Sequence, residues 1–237
     1  MKTATPEQLE KIGLLAAGLV TNGQRVGLGS GKAALAFVRA LGQRITHEKL
    51  QIIGVPTSVQ TEQVARQIGI PLGTLYDIDS LDITIDGADE VDPDLNLIKG
   101  GGGYLTREKV VASISKRFII VVGEEKLVPQ LAWKFPVFLE VLEFARSVVT
   151  RRVEAMGATV TPRKNPDGSL YLTDNQNPYL HCQFPPQRGL TYLGGAQALD
   201  RQFHQMPGVI ETALFIGMAQ EVIIARADGT IDHKKRA

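Results

Sequence analysis

The chain has 237 residues, 43% hydrophobic and 22% charged, with 26 basic and 25 acidic side chains and a net charge of +1. That length holds one large domain or two smaller ones around a full core, and the even charge argues against a nucleic-acid partner. The single Cys182 excludes an intrachain disulfide, His47, His181, His204 and His233 lack metal-ligand spacing, and no run resembles a secretory signal or approaches the roughly 20 apolar residues of a membrane span, so a cytoplasmic protein with no metal and no membrane partner is expected.

Residues 5–21 predict a helix. Thr5 suits the N-cap, Pro6 the first helical position, and Leu9, Ile12, Leu15, Ala16 and Leu19 share one face. "RVGLG" reads as a short buried strand running into a glycine loop, and "KAALAFVRALGQRI" as a helix. "LQIIGVPT", "SVQTEQVARQIG", "DITIDGAD", "TREKVVASISK" and "RFIIVVG" continue as strand, helix, strand, helix and strand. This alternation over residues 26–123 predicts a parallel sheet covered by helices. Near residue 130 the texture changes. "FPVFLEVLEFARSVVTRRVEAMG" predicts a strand and then a helix, and "ATVTPRKNPDGSLYLTDNQNPYLHCQF" two strands joined at "NPDG". A helix is expected at residues 195–206. The result is a small antiparallel α+β unit over 131–206, with residues 1–130 and 207–237 expected to form the α/β domain.

The first glycine loop, "VGLGSGKAA" (residues 26–34), matches neither nucleotide loop. A triphosphate loop ending at Gly31-Lys32 needs glycine where Val26 stands and a hydroxyl where Ala33 stands. A dinucleotide fingerprint from Gly27 and Gly29 needs glycine at Lys32. Two readings stay open: backbone N–H groups, Ser30 and Lys32 aimed at an anion at a helix start, or a tight turn with Lys32 in solvent. For Lys32 itself, solvent is favoured.

Residues 81–116 carry more. A buried strand ends in Asp86, followed by Gly87, Ala88, Asp89 and Glu90, and ligands of open α/β sheets bind beyond the carboxyl ends of strands. Lys99 precedes four glycines, Gly100 to Gly103, a run costly in backbone entropy unless it approaches a ligand closely or offers several donors. Thr106 is read as a cap of the next helix, with Glu108 in its first turn. Singly, each acid reads as a turn residue or a charge matched to the helix dipole. Two aspartates, a lysine, a glycine run and a glutamate within 23 positions read as a site. Such a set suits cofactor-free proton transfer beside a carbonyl, with a carboxylate base and lysine and N–H groups steadying an enolate-type oxyanion. Tyr179, His181 and Trp133 are placed in core or interface, away from the chemistry.

"VGLGSG", "DGADEVDPDLNLIKGGGGYLTREK", "FIIVVGEEKLV" and "MPGVIETALF" resemble the signature segments of type A ribose-5-phosphate isomerases, along nearly the whole chain. The resemblance implies a Rossmann-like parallel-sheet domain with helices on both faces, a smaller ferredoxin-like α+β domain, and a homodimer or homotetramer. It implies interconversion of ribose 5-phosphate and ribulose 5-phosphate with no cofactor. Glu108 falls on the general base and Asp86 and Asp89 on the acidic pair that contacts sugar hydroxyls. Lys99 and Lys126 fall on substrate-binding lysines, and Ser30–Ala33, Asp86–Asp89 (with Gly87 and Ala88) and Lys99–Gly102 (with Gly100 and Gly101) on binding segments. The family's first loop usually reads T-G-S-T; here Ser30-Gly31-Lys32-Ala33 lacks two hydroxyls and adds a cation. The rival reading is a sugar-phosphate sensor on a similar fold, for which the chain leaves no room for a DNA-binding helix pair before residue 26.

Overall fold

The computed structural model describes residues 3–185 and 189–236. The chain runs α1 (Pro6–Gly18), β1 (Arg25–Leu28), α2 (Gly31–Glu48), β2 (Ile53–Pro56), α3 (Val59–Gln67) and β3 (Ile83–Asp86). Next come β4 (Glu90–Val91), β5 (Leu97–Ile98), α4 (Leu105–Ser113), β6 (Phe118–Gly123), β7 (Val137–Val141) and α5 (Arg146–Ala155). The remainder is β8 (Thr159–Pro162), β9 (Tyr179–Gln183), α6 (Ala196–His204), β10 (Val209–Thr212), β11 (Leu214–Phe215), β12 (Glu221–Ala225) and β13 (Ile231–Lys235).

The chain divides into two compact units. The first comprises residues 1–88, 107–127 and 217–237, and the second residues 89–106 and 128–216. Residues 89–106, 128–130 and 207–216, expected with the α/β domain, group instead with the second unit. No described helix is long and apolar enough to cross a membrane.

The first unit is an α/β layer on a six-stranded sheet ordered β13-β12-β6-β3-β1-β2, parallel except for β13. α1 opens as its sequence dictates. Thr5 accepts from the Gln8 N–H, Gln8 reaches back to the Thr5 N–H, and Pro6 needs no donor at the first turn. Ile12, Ala16 and Ala17 of α1 and Phe37, Val38 and Leu41 of α2 bury one face of the sheet with Val26, Leu28, Ile83, Ile85, Ile119 and Val121. Strand alternation sends Val55 to a separate cluster with Ile78, Leu81 and Val111 of α4.

The second unit holds an antiparallel sheet ordered β10-β7-β9-β8 and a small one ordered β11-β5-β4. Its core gathers Val137, Leu139 and Val141 of β7, Val149 and Val153 of α5, Leu180 and Cys182 of β9, and Leu199 and Phe203 of α6. Two expectations change here. "NPDG" does not join β8 directly to β9. Gly168 in left-handed backbone and the Asp167 carboxylate close that turn on themselves, and a second turn at Thr173–Asn177 follows before β9. Of residues 207–237, expected as a whole in the α/β domain, β12 and β13 join the six-stranded sheet, whereas β10 pairs with β7 and β11 with β5.

Candidate active site

The first unit's share of the candidate residues stands at the carboxyl ends of its parallel strands. α2 leads from β1 to β2 on one side, while β3 pairs on the other, so the strand order reverses at β1 and β3, the position where open α/β sheets open a ligand crevice. The loops after those two strands are Gly29–Ser30–Gly31 and Asp86–Gly87–Ala88. They are joined directly: the Ser30 N–H donates to Asp86 Oδ1 at 3.0 Å, and the Gly87 N–H donates to the same oxygen at 2.7 Å. Asp86 is fully buried.

The glycines of the opening loop follow from this crowding. A Cβ on Gly27 would lie 1.9 Å from Thr84 Oγ1, and one on Gly29 would lie 2.4 Å from Asp86 Oδ1. Ser30 is buried, and its hydroxyl turns inward. Its Oγ lies 2.8 Å from Thr57 Oγ1, 2.7 Å from Ser58 Oγ and 3.1 Å from Thr61 Oγ1. Thr57 Oγ1 also donates to the Leu28 carbonyl and Thr61 Oγ1 to the Gly29 carbonyl. This hydroxyl cluster ties the β1 loop to the start of α3, which Ser58 caps. The sequence reading missed it, although "PTSVQT" after a strand held the signal of small hydroxyl residues at a helix start.

With the Ser30 hydroxyl engaged elsewhere, α2 begins with no side-chain cap, and its first-turn residues are Gly31, Lys32 and Ala33. Lys32 is exposed and lines a cavity of about 610 Å³ with Pro6, Leu9 and Leu14 of α1 and Arg39 of α2. Lys126 ends a single 3₁₀ turn, Glu124–Lys126, directly after β6. Glu108 lies in the first turn of α4 and is only 4% exposed. Thr106 does not cap that helix. α4 starts one residue earlier, at Leu105, and the Thr106 hydroxyl donates to Glu140 Oε2 at 2.5 Å.

The second unit carries Asp89, Lys99 and the glycine run. Asp89 precedes β4, its N–H donating to the Ile98 carbonyl at 2.8 Å and its Oδ2 accepting from the Gly101 N–H at 2.7 Å. Lys99 follows β5, is 2% exposed, and holds its Nζ 5.6 Å from the centre of the Phe215 ring. Its own N–H donates to the Ala213 carbonyl at 3.0 Å. Strand alternation turns the next acid, Glu90, the other way. Its buried carboxylate accepts from the backbone N–H groups of Trp133, Lys134 and Phe135; burial raises its pKa against the pull of those donors. Glu90 is therefore structural, and so is the Trp133 backbone that holds it.

Three carbonyls of the glycine run are held by side chains from residues 163–179. Tyr179 Oη donates to Gly100 O at 2.5 Å, Arg163 Nη1 to Gly101 O at 3.3 Å, and Tyr171 Oη to Gly102 O at 3.2 Å. Tyr179, expected to be remote from the chemistry, thus touches the loop that follows Lys99. Among the described residues no group of three or more His, Cys, Asp or Glu is placed to hold a metal ion.

Residues 53–229 match the family described as ribose 5-phosphate isomerase A (phosphoriboisomerase A). The chain is 45% identical over 214 residues to ribose-5-phosphate isomerase A of Desulfatibacillum aliphaticivorans, covering 90% of each. It is 46% identical over 215 residues to that of Synechococcus sp. (strain JA-3-3Ab), covering 90% of this chain and 91% of the relative. Among solved structures it is similar to ribose 5-phosphate isomerase A from Methanocaldococcus jannaschii, with TM-score 0.90 and 35% identity over 98% of this chain and 100% of that one. It is also similar to a D-ribose-5-phosphate isomerase in complex with phospho-erythronic acid, with TM-score 0.91 and 32% identity over the whole of both chains.

Proposed function

The chain belongs to the ribose 5-phosphate isomerase A family and interconverts ribose 5-phosphate and ribulose 5-phosphate, and from that premise we propose that Glu108 is the base that moves the proton between the two carbons. In the open-chain aldose, the Glu108 carboxylate takes the proton from C2, and the electron pair left behind closes the C1–C2 double bond of an enediolate. Delivery to C1 of a proton from the Glu108 carboxyl, which exchanges with solvent during the lifetime of the enediolate, gives the ketose, so C2 is oxidised as C1 is reduced and nothing is consumed. Lys99 and N–H groups of the glycine run meet the negative charge that develops on oxygen. Asp89 holds sugar hydroxyls and passes the second proton between O1 and O2. Asp86 fixes the two strand-end loops through the Ser30 and Gly87 N–H groups. The phosphate is assigned to Lys126 and the uncapped first turn of α2, Gly31 to Ala33, where backbone N–H groups favour an anion.

The observation that carries this reading is the burial of Lys99 and Glu108, at 2% and 4% exposure, on either side of the glycine run. Buried ionisable side chains concentrate at functional sites, and these two flank one loop. The phospho-erythronic acid bound by a structural relative is consistent with it, since a carboxylate beside a hydroxyl-bearing carbon resembles an enediolate. The fold reading that goes with it is a Rossmann-like first unit and a ferredoxin-like second unit. The latter is supported by the β-α-β-β-α-β run from β7 to β10 in the order β10-β7-β9-β8.

Incubation with ribose 5-phosphate in D₂O tests the mechanism. The account expects ketose carrying deuterium at C1, with no added nucleotide or metal, and at least a tenfold loss of rate in Lys99→Ala. Ketose that retains the substrate's own hydrogen in full would point to direct hydride shift and overturn the enediolate route.

A further inference from the structure

We infer that Tyr179 is a positioning residue for the isomerisation, acting through the Gly100–Gly101 peptide on Asp89; this rests on the reading of Asp89 as a substrate-contacting group. Tyr179 begins β9 and is fully buried. Its ring stacks on Phe138 at 5.6 Å and 20°, and meets His181 and Tyr171 edge-on at 6.0 and 6.2 Å. The hydroxyl of the phenol so held donates to Gly100 O at 2.5 Å.

That carbonyl belongs to the same amide plane as the Gly101 N–H. In a trans peptide the two point in opposite directions, and the described chain contains no cis bond. The plane is therefore gripped at both ends, by Tyr179 at the carbonyl and by Asp89 Oδ2, 2.7 Å away, at the N–H. A donor on the carbonyl polarises the amide and makes its N–H the stronger donor to Asp89. Gly100 is required for this approach. It has φ +101°, and a Cβ there would fall 2.3 Å from Tyr179 Oη.

A free four-glycine segment would have to be ordered in each catalytic cycle, at a cost in backbone entropy. The structure orders it beforehand. Arg163, stacked over Tyr171 at 3.9 Å, and Tyr171 itself hold the next two carbonyls, so a single stretch of chain, residues 163–179, anchors three of the four glycines. Tyr179 differs from its two helpers in being tied to a carboxylate through one peptide, which links it to the reaction as well as to the loop.

The test is Tyr179→Phe, which keeps the ring and its packing and removes only the hydroxyl. Loss of one such hydrogen bond predicts a fall in kcat of about tenfold, with KM within twofold and a melting temperature close to that of the wild type. In an Asp89→Asn background the same change is expected to cost nothing further, because the carboxylate on which it acts is already gone. A Tyr179→Phe enzyme that melts lower but turns over within twofold of wild type, or one whose loss multiplies in full onto that of Asp89→Asn, overturns the inference. Asp89→Asn running at the wild-type rate would remove the reading of Asp89 and this inference with it. An impaired Asp89→Asn beside an unimpaired Tyr179→Phe removes the inference alone.

Discussion

At the scale of single residues, the opening loop shows how one composition can serve different ends. Gly27 and Gly29 are there because β3 leaves no space for a side chain, and not to wrap a nucleotide. Gly29→Ala would drive a methyl group into Asp86, and overpacking of this kind costs about 1–3 kcal/mol. Thermal unfolding should show that loss, and activity should fall with it because Asp86 and Ser30 would part. Lys32 lies in the wall shared with α1, so Lys32→Ser is expected to leave KM within about threefold, an effect of under 1 kcal/mol; a strong rise in KM would place the ammonium on the substrate. The residues proposed for the chemistry stand out in the sequence because their types and spacing are so unusual. The hydroxyl cluster does not, since Thr57, Ser58 and Thr61 read locally as an ordinary helix start and meet Ser30 only through the pairing of β1 with β2.

At the scale of elements, α4 and β9 carry most of what links the scaffold to the proposed chemistry. α4 brings Glu108, and its first turn is tied down by the Thr106 hydroxyl on the buried Glu140, which also accepts from Thr173, Asn175 and Asn177. No sequence spacing reveals a contact between residues 106, 140 and 177, so a helix cap was the natural expectation for Thr106. On β9, His181 packs edge-on against Phe138, 5.0 Å between ring centres, and burial first, then the Arg163 charge, hold its pKa below the usual 6.5. Its folded-state value being the lower one, the stability it confers is present in full above pH 6.5 and is lost as pH falls through the folded value. Melting temperatures measured from pH 8 to pH 5 should fall less steeply in His181→Phe than in the wild type. Parallel curves would show that the ring titrates alike in the folded and unfolded chain.

At the scale of the whole molecule, hydrophobic periodicity foretold the parallel sheet and its helices because its central strands are continuous buried runs, as in Ile83–Asp86 and Phe118–Gly123. The unit boundaries were less legible. β4, β5 and β11 are two residues long each, too short to show a period, and it is they that carry residues 89–106 and 214–215 into the second unit. The consequence is functional. Asp86 and Glu108 belong to one compact unit, and Asp89, Lys99 and the glycine run to the other, so the residues proposed for the chemistry are drawn from both. The base is the center of that account, and Glu108→Gln tests it most directly, since the amide keeps the shape and removes the proton acceptor. The account predicts a fall in kcat of about 10²–10⁴-fold, with sugar-phosphate binding and melting temperature retained. Turnover near the wild-type rate in that variant would contradict it.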